Sequence, residues 1–264
     1  CIRDSCNHLL NVDGPYGILL ASSARIGDDI IQLIAQPLDA FVQPEQMRLP
    51  LYCSARHHDN LKKYGGRFAT LLEERLVRSF EADTSFDLPA GLNCTPILVP
   101  HDSEPTFAFR LNGPPGLFGP QWSLGFASDL GEAHLNLLEA FRDVNVLALE
   151  FNHCEHLERM SPRPKFLIDR VLGPLGHLSN DQASQAVRSI VQASDRSSLR
   201  HLVQLHLSRD CNRPTLAAQH GKDVLAELGS SARVTTAQQF AASSVISLEG
   251  DFARSRPVPV TPLA

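Results

Sequence analysis

No CxxC pair occurs anywhere in the 264-residue sequence, although it holds six cysteines (Cys1, Cys6, Cys53, Cys94, Cys154 and Cys211). Thiols so scattered in a chain of this length read as reduced, mostly buried side chains in a cytoplasmic setting. Basic charge is not in excess either. A formal charge of −5 argues against a protein held on nucleic acid by bulk electrostatics, but not against a nuclease whose metal ion supplies the local positive charge. No apolar run approaches the ~18–20 residues that span a membrane. The N-terminus lacks a basic region followed by an apolar core, so no signal peptide is expected. No glycine-rich phosphate loop is present, since the stretch Gly113 to Gly119 holds too many prolines. No residue stands out as a Ser or Cys nucleophile with a base beside it in sequence, and no short repeat recurs.

What the chain does have is apolar residues enough, 43 %, to bury a core as one domain or two small ones. Its 18 prolines and 16 glycines suit a loop-rich α/β fold. Two short strands are expected within residues 1–20, a helix at Asp28 to Ala35, and strands at Leu38 to Val42 and Leu49 to Cys53. Residues 54–64 fit a helix closed by Gly65-Gly66. Val77 to Leu111 reads as a series of strands with turns at Asp83, at Pro89 to Gly91 and at Asp102-Ser103. From there strands and helices alternate: a strand ending at Asp129, a helix at Glu132 to Phe141, a strand at Val144 to Glu150, and a polar loop to His156. Helices at 163–172 and Asn180 to Ala193 follow, the latter with Ser179 or Asn180 as N-cap. A strand at Leu202 to His206, a helix at Pro214 to Leu228 and a last strand within Val234 to Leu248 complete the pattern. Residues 1–249 are expected to form the domain and 250–264 a disordered tail. The class is a mixed α/β sandwich.

Three strands organise the candidate site. Leu98-Val-Pro-His-Asp102, Leu124-Gly-Phe-Ala-Ser-Asp-Leu-Gly-Glu132 and Leu202-Val-Gln-Leu-His206 are apolar runs ending in a metal-capable side chain, His101, Asp129 or His206. Strand ends that present His and Asp at one rim can assemble a metal site from distant sequence.

These stretches, together with Glu150-Phe-Asn-His153, Gly176-His-Leu-Ser-Asn180 and His206-Leu-Ser-Arg-Asp-Cys-Asn-Arg-Pro214, carry a resemblance in order and spacing from about residue 5 to about residue 248. The chain resembles the metallo-β-lactamase superfamily, in its branch of YycJ-like exonucleases and phosphodiesterases. The resemblance implies a four-layer αββα sandwich with a zinc or manganese site at one edge of the sheets. It places His101 as a ligand of a first metal, Asp129 as a carboxylate bridging two metals, and His206 as a ligand of the second. His177 would contact a phosphate, with His153 and Asn180 also lining the substrate site. The substrate class would be a phosphodiester, in nucleic acid by that likeness, hydrolysed with Asp129 and His177 as catalytic groups.

The superfamily's His-x-His-x-Asp-His motif is missing. After Leu38 to Val42 the chain continues Gln43-Pro-Glu-Gln-Met and then Leu49-Pro-Leu-Tyr, and Leu19-Leu-Ala-Ser-Ser23 stands where a strand ending in Asp is expected. Two function classes follow: a metal-dependent hydrolase with an incomplete site, or a non-catalytic binding or scaffold protein that keeps the fold. Of the remaining polar clusters, His57-His58-Asp59 reads as a solvated helix start, and His134, Glu155 and His156 as surface residues. Asp102 reads as the start of a turn or as a partner of a liganding His.

Overall fold

The computed structural model describes residues 19–20, 50–62, 66–103, 105–117, 119–195, 198–237, 243 and 246. The strands and helix expected at residues 1–18 and 21–49, and the expected tail at 250–264, lie outside the described residues.

Twelve strands are described: β1 (Leu19–Leu20), β2 (Leu51–Ser54), β3 (Val77–Phe80), β4 (Phe86–Leu88), β5 (Leu92–Val99), β6 (Thr106–Asn112), β7 (Pro115–Gly116), β8 (Gly119–Pro120), β9 (Ser123–Ala127), β10 (Val146–Glu150), β11 (His201–Leu205) and β12 (Arg233–Thr236). Seven form one sheet in the order β12-β11-β10-β9-β6-β5-β4, and β1, β2 and β3 form a second. In the larger sheet β9, β10, β11 and β12 are mutually parallel, whereas β6 is antiparallel to both β9 and β5. Strand β5 therefore runs in the same direction as β9. Every residue of β9 and β10 is buried, as a strand covered on both faces must be.

One face of the large sheet packs on helices. Leu137, Phe141, Ala183, Val187, Ile190, Ala217, Val224 and Leu225 meet Val99, Leu147, Leu149 and Leu202 in one core. The first eight come from the helices Leu135–Ala140, which Phe141 caps, Asn180–Ala193 and Pro214–Glu227. Phe141 lies so close over β9 that a Cβ on Gly125 would stand 2.9 Å from its ring, which is why the strand carries glycine there. The other face, with Phe107, Phe109, Leu124, Phe126, Val146 and Ala148, meets Phe80 and Tyr52 of the smaller sheet. Beyond that sheet, Leu61, Phe68 and Leu71 of the helices His58–Lys62 and Gly66–Glu73 pack on Leu51 and Cys53. Helices, sheet, sheet, helices: this is the expected four-layer αββα order.

Several local expectations need correcting. Gly66 does not close a helix but opens the one that runs to Glu73. The polar stretch after β10 is a loop only to Cys154, because Glu155–Arg159 is a helix. The helix at Asn180–Ala193 has the expected Ser179 cap, with a reciprocal bond from Ser179 N–H to Gln182 Oε1 at 2.8 Å. Such a capping box contributes about 1 kcal/mol, and it anchors the chain immediately after His177.

Candidate metal centre

The parallel register sets the ends of three strands side by side. Ala127 of β9 pairs with Leu149 of β10, and Glu150 of β10 pairs with Leu205 of β11. Asp129 leaves the sheet two residues after β9, and His206 one residue after β11. Both have left-handed backbone, with φ of 58° and 55°, a region that few non-glycine residues enter. The sharp turn at each exit brings the two side chains back toward Glu150. Because β5 runs the same way, Val99 exits at this rim too and delivers His101, and Gly131 N–H bonded to Pro100 O at 3.0 Å ties the two exits together.

Glu150 is the centre of the arrangement and is 0 % exposed. Its Oε1 accepts from Nδ1 of His177 at 2.8 Å and of His206 at 2.6 Å, and its Oε2 accepts from the N–H of Leu130 at 3.1 Å. Burial alone would raise this carboxyl's pKa. The adjoining imidazoles, His177 most of all, more than offset burial and hold it well below the usual carboxylate range. An ionised carboxylate only accepts, so Nδ1 carries the proton on both rings. His101 follows the same scheme, its Nδ1 donating to Gly176 O at 2.9 Å. The three rings stand in a row, with centroids 5.0 Å apart from His101 to His177 and 5.0 Å from His177 to His206. In neutral form each presents Nε2 as its lone-pair atom, with Nδ1 already held by an acceptor. That is how metal-ligating imidazoles are oriented.

One nitrogen or oxygen from each of Asp129, Glu150, His177 and His206 lies within 4.8 Å of all the others. Two imidazoles and two carboxylates are a donor set suited to zinc or manganese. The residues present fit a divalent cation.

The expected residues are thus distributed as follows. Asp129 and His206 belong to the four-donor group, His206 Nδ1 lying 3.3 Å from Asp129 Oδ1. His177, expected beyond the metal as a phosphate contact, falls inside that group. His101 stands beside the group against the His177 ring, with Nε2 3.7 Å from Asp102. Asp102 also pairs with Arg170. Glu150 was not among the expected site residues, although β10 is an apolar run ending in a carboxylate and so obeys the rule that picked out the others. His153 and Asn180, expected to touch substrate, are buried at 0 % and 1 % exposure. His153 leaves both ring nitrogens without a hydrogen-bond partner, and its carbonyl accepts Asn180 N–H at 2.8 Å. Both lie beneath the rim. His57 is not solvated as expected: it is fully buried, and its Nε2 donates to Pro105 O at 2.8 Å. Its ring edge meets Phe107. His134 and His156 are at the surface.

The model of the β-lactamase superfamily domain matches residues 35–201. The exodeoxyribonuclease YycJ of Bacillus anthracis is 26 % identical over 184 residues, 66 % of this chain and 65 % of that protein. The zinc-bound structure of PqqB from Methylobacterium extorquens superposes with a TM-score of 0.52 at 15 % identity, covering 87 % of this chain and 82 % of that one. A diphosphatase of the PhnP family superposes with a TM-score of 0.41 at 17 % identity, covering 69 % of this chain and 54 % of that one. The chain therefore spans 65 % and 54 % of the lengths of the exodeoxyribonuclease and the diphosphatase. Among the described residues no helix is long and apolar enough to cross a membrane.

Proposed function

The chain belongs to the β-lactamase superfamily, and on that footing we propose that it hydrolyses phosphodiesters, with nucleic acid as the substrate class and zinc or manganese as the metal. One observation carries the reading: two buried carboxylates and two imidazoles converge at the C-terminal ends of three adjacent parallel strands. The resemblance to an exodeoxyribonuclease supports the substrate class.

Asp129, His177 and His206 would hold the cation, with His101 flanking them. A divalent cation in such a site supplies Lewis acidity toward a phosphoryl oxygen and lowers the pKa of water. The chain's own contribution is orientation. Glu150 keeps the Nδ1 proton on His177 and His206 and so fixes which nitrogen each ring offers. His177 is the more exposed of the two imidazoles, its side chain at 15 % against 8 % for His206. It marks the side from which a substrate phosphate would reach the cation. His153 and Asn180 act from below, supporting the loop rather than touching substrate.

The test is elemental analysis of chain purified without chelator or affinity-metal resin, followed by hydrolysis of a chromogenic phosphodiester and of single-stranded DNA with zinc or manganese. Bound metal and hydrolysis, both lost in Asp129→Ala, are expected. A folded chain that binds neither metal and cleaves neither substrate would overturn the reading and leave a binding protein.

A further inference from the structure

Beneath the rim lie three buried asparagines, Asn152, Asn180 and Asn212, joined in one network. Asn180 and Asn212 pair their side-chain amides reciprocally. Asn180 Nδ2 donates to Asn212 Oδ1 at 3.1 Å, and Asn212 Nδ2 donates to Asn180 Oδ1 at 3.0 Å. The same Nδ2 of Asn212 also donates to Phe151 O at 2.8 Å and Asn152 O at 3.0 Å, the backbone that follows β10. Asn212 Oδ1 takes in addition the N–H of Arg213 at 2.8 Å. From there the network reaches the donor group itself: Asn152 Nδ2 donates to the His206 carbonyl at 2.8 Å, and Ser208 N–H donates back to Asn152 O at 2.8 Å.

The network therefore spans the start of the helix Asn180–Ala193, the loop after β10 and the loop after β11. His206 needs such support, as Asp129 does at its own exit. Its backbone is left-handed, and a histidine holds that conformation only where the surroundings dictate it. We propose that Asn212 is a positioning residue for the metal centre, acting through Asn152 on the His206 backbone and hence on the imidazole. The proposal rests on the reading of this rim as a metal centre. Asparagine is the residue type the position requires, because Asn212 faces acceptors (Asn180 Oδ1, Phe151 O and Asn152 O) with one end of its amide and donors with the other. An aspartate there would set an oxygen against three oxygens while changing the side chain's shape hardly at all.

The experiment compares the full chain with Asn212→Asp, Asn152→Asp and a control, Asn145→Asp. Asn145 makes similar bonds, to Ser123 N–H at 2.8 Å and Ser198 O at 3.1 Å, but at the start of β10, the opposite end from the donor group. The first readout is the imidazole ¹H–¹⁵N spectrum after chelation, in which the Nδ1 protons bonded to Glu150 resonate at low field. The second is zinc affinity by competition with a chromophoric chelator. The His206 signal is expected to shift or vanish in both network variants and persist in the control, with zinc binding about 10- to 100-fold weaker in the network variants alone. An unchanged His206 signal in folded Asn212→Asp and Asn152→Asp would overturn the proposal, as would an equal change in the control. Should Asn212→Asp not fold, Asn152→Ala, which deletes the bond to the His206 carbonyl, decides in its place. If even the parent chain binds no zinc, the metal reading fails, and the imidazole spectrum still decides the role of Asn212.

Discussion

Asp129 and His206 leave the sheet on either side of β10 with nearly the same left-handed backbone, φ 58° and 55°, and their side chains meet at 3.3 Å. Asp and His tolerate this region better than bulkier residues, yet it costs each about 1 kcal/mol or more. Two such exits flanking a buried carboxylate place strain where the donors converge, as functional sites commonly do.

At Asp129 that strain can be separated from the chemistry. Asp129→Gly relieves the left-handed cost but gives the unfolded chain more freedom, and the two effects are of similar size. Its thermal stability is expected to stay within about 1 kcal/mol of the parent, while zinc content in elemental analysis is lost. A variant that keeps its zinc would remove Asp129 from the donor group.

Glu150→Gln tests the centre of the arrangement. A glutamine oxygen can no longer serve two imidazole donors together with the N–H of Leu130, so buried donors go unmet. Urea denaturation of the chelated chain should register a loss of about 3 kcal/mol. An unshifted midpoint would mean that the buried carboxylate adds nothing to the fold.

Acid should weaken the fold through two buried histidines. Burial is the main cause that lowers the pKa of both His57 and His153 below the ordinary 6.5. Above that pH the ring is neutral whether folded or not. As pH falls below it, the unfolded chain takes up protons that the folded chain refuses, so stability declines. The urea midpoint is expected to drop between pH 7.5 and pH 5.5, less steeply in His57→Phe. Equal slopes in parent and variant would exclude His57 as a source of the decline.

Gly131→Ala probes the packing behind Asp129. A Cβ there would lie 2.1 Å from Pro174 O, a clash with backbone that no rotamer relieves. Loss of about 3 kcal/mol is expected in thermal denaturation, with weaker zinc binding because the Asp129 loop must shift. Parent-like melting would show that the two loops are further apart than 2.1 Å implies.

The sequence was most legible where hydrophobic runs and stop signals coincide. Asn180–Ala193 and its Ser179 cap follow from helical spacing after a capping residue. Asp129 and His206 stand out because an apolar strand ends at each. Glu150 obeys the same rule but does not stand out, since a carboxylate inside a wholly buried strand shows its role only when its neighbours are known. His177 lies in a loop, and nothing local says that it turns toward Glu150. His57 and His58 look alike in sequence, and only packing against Phe107 and Pro105 sends the first inside. The helix Gly66–Glu73 is hidden in the sequence because paired glycines signal an end, whereas here Gly66 is a beginning.

Asp129, His177, His206 and the Glu150 that orients the two rings come from strands and loops that meet only once β9, β10 and β11 are paired. A chain emerging from the ribosome has no such site until residue 206 is out and β11 has docked. An ion captured there would bind the finished sheet and not the unfolded polymer, so by mass action it would clamp the last step of assembly. The parallel pairing that aligns three strand ends would thus make occupancy by an ion a late event, and scarcity of that ion would be felt first as a shortfall of completed molecules.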